Sequence, residues 1–576
     1  MSRVGVVTAT AAGRAMAQRL ADAWAGAVTV HSGPVVEQLH AAWRDSDAVV
    51  CFLATGAAVR LLAPLLADKR TDPGVVCVDE AGRYAVALVG GHAGGANDLA
   101  HRVAEVLGAE PVVTTGSDAA GATALDTFGA DLGFRLADPA NLARVGRLLL
   151  DGAPVRLLAD ATWPVPALPA LPALSALPTS PDAPLRIAVT DRRDVDADLV
   201  YRPPSLVVGV GASRGVPADE VRDLIDDALR TAGLAPESVR AVATVDVKAD
   251  EVGILAVARE RGWPLLTYPA ADLAGVPVPH PSETVRAAVG TPSVAEAAAL
   301  LAARQAGRDA ELVVAKRVAP HATVAVARLV PRGRLAIVGL GPGAADLRTP
   351  RAAAALRRAA VVVGLDQYVE QIRHLLAPGT RVLDSGLGAE EERARTAVEL
   401  ATAGHAVALV GSGDAGLYAM ASPALQLAGP DVDVTVVPGV TAALAAGALL
   451  GAPLGHDHAY LSLSDLHTPW PVIAGRVRAC AAADLVLCLY NPRSVRRAGR
   501  FAEALAIVAE HRDPGTPVGV VRDASRPDER VRHTTLKALG EDPSIVDMRS
   551  IVLVGSSRTT MVGGRMVTPR EYRWLS

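Results

Sequence analysis

Cysteine is scarce: the chain of 576 residues holds four, Cys51, Cys77, Cys480 and Cys488. They form no Cys-x-x-Cys pair and no secreted disulfide framework, and read as small buried hydrophobes in a reducing compartment. An excess of charge of one sign is lacking too. The 57 basic and 61 acidic residues nearly cancel, for a net charge of -4, and they are spread along the chain. No field is available to grip nucleic acid or an anionic membrane, so a small-molecule partner is expected. Long apolar runs are missing as well. The stretch that most imitates a membrane span, Ala48 to Ala67, carries Arg60 and is broken by Gly56 and Pro64, which predicts strand, turn and helix instead. Nor does an apolar leader with a small-residue cleavage site follow Met1-Ser2-Arg3, so a cytoplasmic location is expected.

Half of the residues are hydrophobic and a fifth are charged. At this length the composition predicts a multidomain globular protein with roughly three or four domains. The pattern is that of open α/β sheets. Val4 to Thr8 reads as a strand, Gly13 to Trp24 as a helix, Ala48 to Ala54 as a buried strand and Ala57 to Leu66 as a helix. Val75 to Val78 and Tyr84 to Val89 flank the turn Ala81-Gly82, and Pro111 to Thr115 reads as another strand. Between Trp163 and Pro184 the composition turns to Pro-Ala-Leu, which predicts a stiff extended spacer or a surface loop. A second α/β run begins at Leu206, with helices at Pro217 to Thr231, Ala249 to Arg261 and Ser293 to Arg304, and a third at Leu335. The expected domains are 1–135, 136–204 with its linker, 205–330 and 334–576.

The last run carries ordered signatures, each just after a short apolar stretch: Gly339-Leu340-Gly341-Pro342-Gly343, Ser412-Gly413-Asp414-Ala415-Gly416, Pro438-Gly439-Val440-Thr441-Ala442, Ser462-Leu463-Ser464-Asp465 and Tyr490-Asn491-Pro492-Arg493-Ser494. Strand ends in open α/β sheets are where ligand-binding loops gather. Gly339-x-Gly341-x-x-Ala344 also fits a dinucleotide fingerprint, with Asp366 in place of the ribose-binding acid. Pyrophosphate binding, however, needs the loop to open directly into a helix. Here Thr349-Pro350, an N-cap and N1 pair, comes several residues later.

This order of motifs resembles the tetrapyrrole methylases, most of all the precorrin-3B C(17)-methyltransferases of cobalamin biosynthesis, over nearly all of Arg334 to Tyr572. The resemblance implies a two-lobed methylase fold with S-adenosylmethionine folded in the cleft. Its cofactor-binding residues would be Gly339, Gly341, Pro342, Gly343, Gly413, Asp414, Ala415, Gly416, Pro438, Gly439, Thr441 and Ala442. Tyr490, Asn491, Arg493 and Arg522 are candidates for substrate binding, because arginines take carboxylate arms bidentately. Asp465 or His467 is the candidate acid or base. His456-Asp457-His458 matches no common metal cage, so no metal site is expected. Related methylases often have Asp-Pro where this chain has Asp414-Ala415, and Pro-Arg-Gly-Tyr where it has Pro569-Arg570-Glu571-Tyr572.

Arg3 to Leu329, apart from a poorly matched proline-rich middle, resembles the cobalt-precorrin-5A hydrolases of the same pathway. The motifs are Ala54-Thr55-Gly56, Gly90-Gly91-His92-Ala93-Gly94-Gly95-Ala96-Asn97, Thr244 to Glu251, and Gly290 to Glu296, ending in Lys316. What this implies is opening of a δ-lactone on the contracted macrocycle, with the excised carbons leaving as acetaldehyde. Such a reaction needs a base and a positive group. Lys248 and Glu251, three residues apart at the start of a helix, are candidates, although an i,i+3 salt bridge explains them equally. His92, in a glycine-rich loop, is the better one.

The chain therefore reads as a bifunctional fusion of two enzymes acting on the corrin macrocycle, expected by resemblance to be a homodimer. Its rivals are a methyltransferase with a macrocycle-binding but non-catalytic first half, and an NADPH-dependent precorrin reductase.

Overall fold

The computed structural model describes residues 3–68, 71–92, 94–169, 185–386, 388–493 and 498–570. Ser494, Glu571 and Tyr572 of the motifs, Ala93 and the segment 170–184 lie outside the described residues. Two compact units are formed, Met1–Pro331 with Ala377–Thr380, and Arg332–Leu376 with Arg381–Ser576.

The first unit holds three sheets. In the first, β1 (Val4–Thr8), β2 (Val28–Val30), β3 (Ala48–Phe52), β4 (Gly74–Val78), β5 (Tyr84–Val89) and β6 (Glu110–Val112) lie in the order β2-β1-β3-β4-β5-β6. Every residue of β1, β3 and β4 is buried, as expected for short apolar runs covered on both faces. Only β4 and β5 run antiparallel, because the Ala81-Gly82 turn folds one back on the other. The last strand is shorter than the sequence suggests, and from Val113 the chain is loop. Cys51 and Cys77 are register partners on β3 and β4, and burial pushes the Cys51 thiol up to about 12. Cys480 departs from the expected burial, being only partly covered.

The second sheet corrects the sequence reading of 136–204. β7 (Arg135–Leu136), β8 (Val155–Ala159), β9 (Leu185–Val189) and β10 (Leu199–Arg202) form it in the order β7-β10-β9-β8. Residues 163–169 are neither spacer nor surface loop. Val165 and Leu168 are buried in this sheet's core, Trp163 meets Phe134 edge-on at 5.2 Å, and Thr123 Oγ1 donates to Ala167 O at 2.6 Å. Proline bars helix and central strand, but irregular chain still fills a core when its carbonyls find donors.

In the third sheet β11 (Leu206–Ala212), β12 (Val239–Val245), β13 (Leu265–Tyr268), β14 (Asp309–Val318) and β15 (Ala322–Val330) lie in the order β13-β12-β11-β15-β14. The helix Ala295–Ala306 crosses β11 so closely that a Cβ on Gly209 would stand 1.9 Å from Ala295 O. Arg328 on β15 grips Asp191 bidentately, at 2.7 and 2.8 Å, and Ser205 Oγ donates to the same carboxylate at 2.7 Å. Asp191 is 2 % exposed. Arg328→Met would leave that carboxylate buried with its main partner gone, a loss of about 3–5 kcal/mol. Calorimetry of the full chain should show the first unit melting earlier, and Arg328→Lys should not restore it, because an ammonium cannot make the two parallel bonds.

In the second unit, β16 (Gly333–Gly339), β17 (Val361–Leu365), β18 (Arg381–Ser385), β19 (Ala406–Gly411) and β20 (Val432–Val437) make an all-parallel sheet ordered β18-β17-β19-β16-β20. After β21 (Gly451–Ala452), the strands β22 (His458–Ser462), β23 (Val486–Tyr490), β24 (Pro517–Arg522), β25 (Arg530–Thr535) and β26 (Ser550–Val554) form a mixed sheet. Its order is β22-β23-β26-β24-β25, with only β22 and β23 parallel. β27 (Thr560–Val562) and β21 each pair with β28 (Arg565–Val567) in a small third sheet. Among the described residues no helix is long and apolar enough to cross a membrane.

Candidate functional site

The first strand of the parallel sheet, β16, lies between β19 and β20, and the chain leaves it toward the far side, to β17. Where strand order reverses in this way, the loops beyond the carboxyl ends diverge and leave room for a ligand. The three glycine loops follow β16, β19 and β20. Leu340 N donates to Gly411 O at 2.9 Å, while Gly341 and Gly413 exchange a pair of backbone bonds at 3.1 and 2.8 Å. A Cβ on Gly339 would lie 2.7 Å from Gly413 O and 2.9 Å from Gly439 N, and one on Gly439 would lie 2.1 Å from Gly413 O. These positions accept no side chain, so the loops fuse into a surface of bare backbone. Gly413, at φ +68, would direct a Cβ into more open space, with nothing nearer than Thr441 at 3.7 Å.

Asp414 fastens this surface from within. Its Oδ1 accepts from Gly416 N at 2.8 Å and its Oδ2 from Gly439 N at 3.0 Å. Both oxygens are therefore occupied by main chain, which makes Asp414 a holder of loops. Ala415 is buried in the sheet's core, and Pro438 O accepts from Thr349 Oγ1 at 3.4 Å. Thr349 caps the helix Pro350–Arg358 by accepting from Ala352 N, as the N-cap and N1 pair predicts. Gly343 leads into the 3-10 turn Ala345–Leu347, so the first glycine loop does not open into a helix as a pyrophosphate site requires.

A second set of contacts comes from the mixed sheet and was not foreseen. Between β24 and β25, Arg526 Nε donates to Pro342 O at 2.9 Å and its Nη2 to Ser412 Oγ at 3.1 Å, while Ser525 Oγ accepts from Ala344 N at 3.2 Å. A Cβ on Gly343 would stand 2.5 Å from Arg526 Cγ, which is what requires glycine there. Asp523 and Ser525 hold positive φ, 50 and 61°, and the buried Asp523 is tied to Arg549 Nε at 2.7 Å. A bend of this kind has no glycine to announce it.

Tyr490, at the end of β23, links the third glycine loop to the mixed sheet. Its hydroxyl accepts from Ala443 N at 3.1 Å and shares a 2.6 Å hydrogen bond with Thr441 Oγ1. Tyr418 and Tyr460 pack beside it with ring centroids at 5.5 and 5.9 Å. Burial pushes the Tyr490 phenol up to about 12, against the lowering pull of the Thr441 bond. The folded value lies above the ordinary one of about 10, so the neutral phenol's contribution is complete below pH 10 and is lost as pH rises toward 12. Unfolding of the second unit followed between those limits should show this loss in the native chain, and Tyr490→Phe should remove that part of the pH dependence.

Asn491 Nδ2 donates to Ser462 Oγ at 3.1 Å, which brings the Tyr490 and Ser462 motifs together. Asp465 pairs with Arg500 at 3.6 Å, and His467 is exposed on the same loop. Arg493 Nη1 donates to Val546 O at 3.2 Å and Arg522 Nε to Asp547 Oδ2 at 2.8 Å. Those two arginines thus anchor side by side on one segment of chain. In the His456-Asp457-His458 stretch, Asp457 N donates to His456 Nδ1 at 2.7 Å; among the described residues no three of His, Cys, Asp and Glu gather as a metal would need.

In the first unit, His92 Nε2 lies 2.7 Å from Ser117 Oγ. Lys248 and Glu251 follow β12 of the third sheet and do not begin a helix together, although the sequence suggests it. Lys248 ends a 3-10 turn and Glu251 caps the helix Val252–Arg261. Glu251, 2 % exposed, accepts from Lys248 Nζ at 3.3 Å and from Gly215 N at 2.8 Å. This is the i,i+3 salt bridge, here with a loop amide added. Ala54-Thr55-Gly56 follows β3, whereas the His92 loop follows the oppositely directed β5, so those two motifs stand at opposite edges of their sheet.

Residues 334–540 match the family described as tetrapyrrole (corrin/porphyrin) methylases. Residues 37–118, 123–203 and 206–327 match the cobalamin synthesis G N-terminal, cobalamin biosynthesis central and cobalamin synthesis G C-terminal families. A probable cobalt-factor III C(17)-methyltransferase of Salmonella typhimurium is 46 % identical over 241 residues, 41 % of this chain and 99 % of that one. A cobalt-precorrin-5A hydrolase of Priestia megaterium is 32 % identical over 319 residues, 53 % of this chain and 84 % of its own length. Among solved structures, that of the methyltransferase CobJ is 37 % identical, covers 41 % of this chain and all of its own, and has a TM-score of 0.39.

Proposed function

Since the chain belongs to the tetrapyrrole methylases through residues 334–540 and to the cobalamin synthesis G proteins through residues 37–327, we propose that it is a bifunctional enzyme of cobalamin biosynthesis. The second unit methylates a precorrin-3-type tetrapyrrole at carbon 17 with ring contraction, using S-adenosylmethionine. The first unit opens the lactone of a later intermediate. The matched methyltransferase and hydrolase are both named for cobalt-bearing substrates, which favours a macrocycle already holding cobalt.

The observation that carries the methyltransferase reading is the backbone surface where the loops of Gly339, Gly413 and Gly439 meet. A flat, bulky cofactor needs main-chain donors and acceptors at close approach, and glycine alone permits that. S-adenosylmethionine supplies an electrophilic methyl group and asks little covalent help of the protein. The chain's part is to hold donor and acceptor carbon in line, which supplies much of the rate. Gly341, Gly413, Gly416 and Gly439 would present backbone to the cofactor, while Asp414, Arg526 and Tyr490 fix the loops that carry them. Arg493 and Arg522 are the candidates for the acetate and propionate arms, and Asp465 or His467 for proton transfer. In the first unit His92 is the candidate base, with the half-buried Lys248 and the buried Glu251 as an ion pair that also holds the Gly215 loop amide.

The test is incubation of the full chain with cobalt-factor III and S-adenosylmethionine carrying a labelled methyl group, read by NMR. One labelled methyl on carbon 17 is expected. Label on another carbon, or none, contradicts the assignment.

A further inference from the structure

The loops that follow β5 and β6 meet at one edge of the first sheet. Those strands are parallel neighbours, so their carboxyl ends open together, where open α/β sheets place ligands. One loop carries His92 and the other leads to Ser117. The 2.7 Å between Nε2 and Oγ is proton-transfer distance for a nucleophile and its base. Both side chains are partly exposed.

A plain clip between loops is the competing account, and that role is already filled. Asn97, 7 % exposed, donates to Thr115 Oγ1 at 3.0 Å. Gly91 lies so close to Thr115 that a Cβ would stand 2.8 Å from its Cγ2. The glycine loop is also braced by itself: Gly95 N donates to His92 O at 3.0 Å, Ala96 N to Gly90 O at 3.1 Å and Asn97 N to Gly91 O at 3.0 Å. Beneath it, a Cβ on Gly74 would stand 2.1 Å from Gly94 O. None of these contacts uses the side chain of His92 or Ser117. The serine hydroxyl also occupies the place beside Nε2 that an activated water would need.

We propose that Ser117 is a nucleophile and His92 its base, acting on a cyclic ester; this rests on the reading of the first unit as a lactone hydrolase. Ser117 Oγ attacks the lactone carbonyl as its proton passes to His92 Nε2. The bond from carbonyl carbon to ring oxygen then breaks, and the leaving oxygen takes that proton, which gives a free hydroxyl and an ester on Ser117. Water, giving a proton to His92, attacks the ester; the carboxylic acid departs and Ser117 Oγ recovers the proton. The net change is lactone plus water to hydroxy acid. The freed alcohol carbon then leaves with its methyl as acetaldehyde, its bond to the macrocycle carbon breaking as that carbon takes up the hydroxyl proton.

The experiment has two arms on the full chain. In the first, a fluorophosphonate probe is added and the labelled residue is found by peptide mass spectrometry. Label on Ser117, reduced at least about tenfold in His92→Ala, is expected; absence of label on Ser117 overturns the proposal. In the second, acetaldehyde release from cobalt-precorrin-5A is measured, with the calorimetric melting of the first unit as the folding control. Ser117→Ala should lower release by about a thousandfold or more, and release near the native rate overturns the proposal. A native chain that takes the label but releases no acetaldehyde keeps the nucleophile and refutes the lactone reading.

Discussion

Alanine in place of Gly439 is expected to weaken binding of S-adenosylhomocysteine by at least about a hundredfold. The added Cβ would stand 2.1 Å from Gly413 O and 2.8 Å from the carbonyl carbon and oxygen of Gly339. All three are backbone atoms, so no flexible side-chain end can swing aside. Relief requires the loops after β16, β19 and β20 to part by about an ångström, which takes two or three main-chain hydrogen bonds of about 1 kcal/mol each out of reach of one ligand, on the order of a hundredfold together. The effect should be local. The parallel sheet ends before the loop, so the circular dichroism of the full chain should stay native, and calorimetric titration should show the loss. A variant that binds within about threefold of the native chain would mean that the three loops do not form the cofactor's seat.

Asp414→Ala should act on the same surface by a different route. It removes the acceptor for Gly416 N and Gly439 N, and hydrogen bonds to an ionised group contribute about 1.5–3 kcal/mol each. Part of that returns when water reaches the amides, so the expected outcome is binding weakened about 10- to 100-fold. Because the carboxylate acts on the loops, kcat at saturating cofactor should stay within about threefold of native, while KM for the cofactor rises. Asp414→Asn should fall between, since an amide keeps one acceptor oxygen and turns its NH2 toward a donor. Steady-state kinetics with both variants checks this. A large fall in kcat with KM unchanged would show Asp414 to act on the reacting groups.

The glycine loops were legible because each ends an apolar run: Gly333–Gly339, Ala406–Gly411 and Val432–Val437 are strands whose carboxyl ends carry them. Thr349-Pro350 was legible for the same reason, a local rule of helix starts. Arg526 was not. It reaches Pro342 from 184 residues away, and nothing in Asp523-Ala524-Ser525-Arg526 marks a bend with positive φ. The sequence singles out Asp414, yet its partner Gly439 lies 25 residues on, so its aim at main chain came only with the fold. The second sheet was hidden by composition. β9 and β10 stand apart from β8 across the Pro-Ala-Leu stretch, and the proline rule, sound for helix and strand, says nothing of whether Val165 and Leu168 are buried. Lys248 and Glu251 were read as neighbours on one helical face, and they do pair, but through a turn and a cap.

Calorimetric titration of the full chain with S-adenosylmethionine and, separately, with NADPH tests the central claim most directly. A micromolar dissociation constant, about -8 kcal/mol, for S-adenosylmethionine alone, lost in Gly439→Ala, is the expected result. Binding of NADPH in its place would contradict the account and turn the Gly339 loop into a dinucleotide site.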